Sequence, residues 1–146
     1  MIWLIILLIF IFCFLFMLQN KKVEHFSNEN ETIIDLRKFA FIILPELKGK
    51  ITINIGRSSL TEDKKNISIC IYDENKNIYN KDILYNVLLH ELAHVISPTV
   101  SGTDNISHDN VHYKNLLFLN EKAKSKGYSN IDIFTVPSSY CIKKFL

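Results

Sequence analysis

His90, Glu91 and His94 form an H-E-x-x-H within the apolar stretch 87–96, Val-Leu-Leu-His-Glu-Leu-Ala-His-Val-Ile. On a helix, residues four apart stand one above the other, so both imidazoles can reach one metal ion from the same face. Glu91 is turned about 100° from His90 and cannot join that pair in line, but it can reach a water on the same ion. Imidazole nitrogen suits zinc, a catalytic zinc keeps three protein ligands and one open position, and the ion lowers the pKa of its water to about 7. The chemistry implied is zinc-dependent hydrolysis, with His90 and His94 as ligands and Glu91 as general base.

Two helical histidines need a third ligand from elsewhere. His25 lies far back in a polar stretch, which leaves His108, His112 and acids such as Glu121 on the segment that follows. His108 is the expected ligand, because it comes directly after a loop that can fold back over the first pair. His112, one turn further along, and Glu121 remain as alternatives.

The elements that must position these groups are legible in pattern. Asn80 is a good N-cap with Asp82 in the first turn, and Pro98 cannot continue a helix, so the metal helix is expected over about 80–97. Its apolar residues surround it, which implies burial on most sides. Asn30 or Thr32 can open an earlier helix that Pro45 stops, and Ser107 can open a later one that Gly127 closes. Residues 51–55 and 67–72 alternate apolar and polar side chains, the signature of half-buried strands in an antiparallel or mixed sheet. The expected fold class is α+β: a small sheet packed on the H-E-x-x-H helix and its flanking helices.

The first 18 residues carry no charged side chain. As a helix they would run about 27 Å, close to the hydrocarbon thickness of a bilayer. No basic start or small-x-small cleavage site is present, so an uncleaved, single-pass transmembrane helix is expected over 1–18, followed by a polar tether over 19–29 and the folded domain over 30–146. Lys21 and Lys22 after the apolar run place that domain on the cytoplasmic side. Cys13, Cys70 and Cys141 show no paired spacing, which agrees with a reducing environment. The net charge is +2 with both signs interspersed, so nothing points to nucleic acid as a partner.

The runs 67–75 and 88–95, Tyr79 between them, Ser107-His108-Asp109 and the closing Pro137-Ser138-Ser139-Tyr140-Cys141 together resemble the WLM/SprT-like zincin metallopeptidases, particularly small membrane-anchored versions in large DNA viruses. The likeness covers roughly residues 50 to 141. It implies a zincin-like fold, peptide-bond hydrolysis of a protein or peptide substrate, Zn2+ held by His90, His94 and His108, Glu91 as the base, and a virion or host membrane as the location. Two positions depart from the family pattern: Ser107 stands where Gly usually precedes the third histidine, and His112 where an aromatic follows it. Zincins commonly bind substrate along an exposed strand, a role that residues 67–72 could fill, and Tyr113, Tyr128 and Tyr140 are candidate donors to the oxyanion. The competing expectation is a non-catalytic, zinc-stabilised, membrane-anchored binding module, which would have no need of a general base at Glu91 and would usually hold its metal with four protein ligands.

Overall fold

A computed structural model describes residues 2–98, 110–129, 131, 133 and 141 of the chain. Helix α1 (Ile2–Ile43) is followed by a short 3-10 turn (Pro45–Leu47), strands β1 (Thr52–Ile55), β2 (Leu60–Glu62) and β3 (Asn66–Ile69), and helices α2 (Lys81–Ile96) and α3 (Asn110–Ser125). The chain divides into two units, Met1–Ile34 and Asp35–Leu146.

The first unit corrects the expectation of a membrane-spanning helix. Among the described residues no helix is long and apolar enough to cross a membrane. The apolar start is instead the opening part of the 42-residue helix α1, which continues without a break through Lys21, Lys22 and Glu24. No proline or glycine stands anywhere in residues 1–44, and Gln, Lys and Glu are good helix formers, so the polar stretch 19–29 stays helical where a tether was expected. The single-pass transmembrane helix, the membrane location and the assignment to its cytoplasmic side are therefore withdrawn. Trp3, Leu7 and the apolar side chains between Ile9 and Leu18 are exposed.

The second unit holds the core. Leu36, Phe39, Ala40, Ile43 and Leu44 bury the last turns of α1, and Pro45, which lacks an N–H, ends the helix. Tyr85 on α2 donates its hydroxyl proton to Asp35 Oδ2 at 2.7 Å, and Lys81 pairs with the same oxygen at 3.0 Å. Beside them the Phe39 ring stacks on Tyr85 at 4.2 Å between centroids and meets Tyr128 edge-on at 4.8 Å. One aromatic cluster thus joins the end of α1, the start of α2 and the segment after α3.

The sheet has strand order β1-β3-β2, with β3 parallel to β1 and antiparallel to β2. Ile53, Thr61, Ile67 and Ile69 point inward and are buried, while Thr52, Asn54, Glu62 and Asn66 are exposed. The central strand is therefore β3, so that of the residues 67–72 expected to offer an exposed edge, Ile67 and Ser68 are paired on both sides. A turn at Asp63 and Lys64, both with positive φ and closed by the Lys65 N–H on the Glu62 carbonyl, reverses the chain between β2 and β3. Gly56 passes so close to β3 that a Cβ there would meet the Ser68 Cβ at 2.8 Å. After β3, Asp73 accepts the backbone N–H groups of Asn75 and Asn77 and so fixes the turn before α2.

Helix α2 is capped by Asn80, whose side chain accepts the Asp82 N–H at 3.0 Å. Leu84, Leu88, Leu89 and Leu92 are essentially inaccessible. Helix α3 seats His112, Leu116, Leu119 and Ala123 inward and ends in a Schellman turn, with Gly127 at φ 92° and the Tyr128 N–H on the Ala123 carbonyl.

Cys70, just past β3, forms a disulfide with Cys141, with a Cα–Cα distance of 6.1 Å. The expectation of unpaired cysteines in a reducing environment is corrected accordingly, since disulfides persist where conditions are oxidising. Sequence spacing could not reveal this pair, because 71 positions separate its members. Closing so long a loop in the unfolded chain is worth about 4 kcal/mol by the chain-entropy model. Cys141→Ser is expected to lose stability of that order in urea denaturation, and dithiothreitol should lower the wild type to the level of the variant.

Candidate metal centre

The site is built on the C-terminal half of α2. Burial of its leucines leaves His90 and His94 on one half-buried flank and turns Glu91 inward, where only 5% of its surface is accessible. The His90 and His94 Nε2 atoms lie 3.3 Å apart. Two nitrogens bonded at about 2.05 Å to one tetrahedral zinc would also stand about 3.3 Å apart.

His112 completes the group. Its ring, 3% exposed, lies 4.7 Å from that of His90 and 4.0 Å from that of His94 between centroids. One potential ligand nitrogen from each of the three histidines falls within 4.8 Å of the others, so the group could hold a metal ion. Its Nε2 is also 3.3 Å from the His90 carbonyl oxygen. Helix α3 is held in this register by Asn115, which donates its side-chain N–H to Ser97 Oγ at 2.9 Å, while Ser97 Oγ donates to the Ala93 carbonyl at 2.7 Å. Asn115 is three residues beyond His112, on the same helical face, so the bond that closes the end of α2 also orients the histidine.

His108, the expected third ligand, lies outside the described residues. Glu121, the other alternative, is exposed on α3 and bonded to Lys124 at 2.9 Å. The signal for His112 lies in the helical spacing: with Asn115, Leu116, Leu119 and Ala123 it forms a single inward stripe, and a histidine in such a stripe faces the helix it packs on.

Glu91 has a partner that the sequence did not disclose. Thr61 on β2 places its hydroxyl 2.7 Å from Glu91 Oε2 and 3.2 Å from the Glu91 carbonyl oxygen. Burial pushes the Glu91 carboxyl up to about 7, against a smaller opposing effect of the Thr61 hydrogen bond. A carboxyl poised there exchanges protons readily near neutral pH, as a general base must. Of the tyrosines named for an oxyanion, Tyr113 is exposed on α3, Tyr128 is packed against Phe39 and Tyr85, and Tyr140 lies outside the described residues.

No family model matches the chain, and no solved structure matches it. It is similar to a protein described as uncharacterized protein 042R, from Invertebrate iridescent virus 3, with 44% identity over 52 residues. That alignment covers 35% of this chain and 33% of the viral protein, so the chain spans about a third of the length of the relative it matches.

Proposed function

We propose that the protein is a zinc-dependent metallopeptidase of the WLM/SprT-like zincin type, with His90, His94 and His112 as ligands and Glu91 as general base. The observation that carries this reading is the three-histidine cluster with a buried carboxylate one residue from its first member. Three protein ligands leave one position of a tetrahedral zinc open, the pattern of catalytic sites, whereas structural sites are usually closed by four. Zinc held here supplies Lewis acidity and an activated water.

The remaining work falls to side chains of this chain. Glu91 accepts a proton from the attacking water as the water adds to a peptide carbonyl, and then delivers it to the departing amine. Strand β2 stands at the end of the sheet with a strand on one side only among those described, and its Thr61 touches Glu91. An extended peptide lying along β2 would bring its backbone past the base, the geometry of strand addition.

Metal analysis and a peptide-library assay on the purified chain test the reading together. Wild type is expected to bind one zinc and cleave peptides, and Glu91→Gln to keep the metal while losing about 10²–10⁴-fold in rate. One bound zinc with no cleavage of any library member would instead favour a zinc-stabilised binding module. Zinc titrations of His112→Gln and His108→Gln separate the candidate ligands. Affinity should fall in the first by more than the ~10–100-fold typical of an outer-shell loss and stay unchanged in the second; the opposite pattern would return the third position to His108.

The Glu91 carboxyl also makes stability depend on pH in the metal-free protein. Its folded pKa, about 7, lies above the ordinary 4.5, so its contribution to stability is fully present below pH 4.5 and is lost as pH rises through 7. The loss amounts to something on the order of 3 kcal/mol. Urea melts in the presence of a chelator should show wild type weakening between pH 5 and pH 8 relative to Glu91→Gln; parallel curves for the two proteins would contradict the raised value.

A further inference from the structure

We infer that Thr61 is a positioning residue for Glu91, fixing which carboxylate oxygen faces the reacting water. The inference rests on the hydrolase reading for its consequence and on geometry for its substance. Thr61 is the one buried residue of β2, set between half-buried Leu60 and exposed Glu62. Valine would fill the same space and favours strands equally, so a hydroxyl in this position is useful only through a partner. Both hydrogen-bond contacts of its hydroxyl are to Glu91. A hydroxyl has one proton to donate, and the 2.7 Å approach to Oε2 is the shorter and, with the carboxylate ionised, the stronger. That donation occupies Oε2 and leaves Oε1 to take the proton of the water.

A second attachment holds the strand in register. Lys64, in the turn after β2, donates its ammonium protons to the His94 carbonyl at 3.1 Å and to the Ser97 carbonyl, both at the C-terminal end of α2. A cation at that end is favoured by the unpaired carbonyls and the helix dipole. The hairpin therefore grips the metal helix at Glu91 and again three residues later, so that β2 cannot slide without breaking one grip.

The test compares zinc-loaded full-length wild type, Thr61→Val and Thr61→Ser. Thr61→Val is expected to keep one zinc per chain and an unchanged KM while kcat falls ~10–100-fold, as for loss of an outer-shell partner, and Thr61→Ser should restore kcat. Full kcat in Thr61→Val, or no rescue by serine, would overturn the assignment. Crystal structures of zinc-loaded wild type and Thr61→Val decide independently of activity: the Glu91 carboxylate should turn away from its wild-type orientation in the variant, and an unmoved carboxylate would refute the inference. Zinc-loaded wild type that cleaves nothing would count against the hydrolase reading, and the pair of structures would still decide whether Thr61 holds Glu91.

Discussion

Everything in the second unit follows from one awkward requirement: α2 is a buried helix that carries a carboxylate and two imidazoles among its leucines. A charged or polar group taken out of water must find partners inside the protein, at a cost of kilocalories if it does not. The fold supplies them from three directions. The β2–β3 hairpin brings Thr61 to Glu91 and Lys64 to the end of the helix. Helix α3 brings His112 to the other two histidines, and Asn115 to Ser97. The last turns of α1 bring Asp35 to Tyr85, toward the N-terminal end of α2, and thereby set the level of that end. Burial raises the Asp35 carboxyl, but the bonds from Tyr85 and Lys81 outweigh it and hold the group below its ordinary value.

The apolar packing explains why so small a sheet suffices. Three strands of three or four residues would not be stable alone. Here β3 has a neighbour on each side, and its Ile67 and Ile69 are fully buried with Ile71 just beyond. On the outer side of β1, Arg37 donates to the Ile53 carbonyl at 2.9 Å and to Asn54 Oδ1 at 3.2 Å, occupying part of an edge that would otherwise offer free acceptors. The other edge, at β2, has no such cover from any described side chain that bonds its backbone, and it is the edge beside Glu91.

How much of this the sequence disclosed depends on whether the deciding signal was local. The ends of α2 rest on one side chain and one ring, Asn80 and Pro98, and both are readable without the fold. The alternations in 51–55 and 67–72 locate β1 and β3 for the same reason. Strand β2 was missed because three residues, Leu-Thr-Glu, are too short to show a period, and its existence depends on a turn made by Asp63 and Lys64 rather than by glycine. The Cys70–Cys141 pair and the Thr61–Glu91 bond join residues 71 and 30 positions apart, distances at which spacing carries no information. The N-terminus differs for another reason: composition over 18 residues says nothing of where a helix stops, and with no proline or glycine up to Leu44 nothing in the sequence interrupts it.

A metal site divided between two helices links chemistry to folding. His90 and His94 belong to α2 and are brought together by the helical repeat itself, but His112 reaches them only while α3 is seated on α2. The three imidazoles, with rings 4.0 to 5.0 Å apart and the His90 and His94 Nε2 atoms 3.3 Å apart, already touch one another without an ion. An ion shared among them would bind the neutral rings through their lone pairs and would add its binding free energy to the docking of α3. On the proposed reading, the centre that performs hydrolysis is thus also a cross-link between α2 and α3. Asn115, Ser97 and Lys64 hold the same junction by hydrogen bonds that need no ion. The metal-free protein can therefore keep the three histidines in place before any ion binds, so that little ordering would remain for binding to supply.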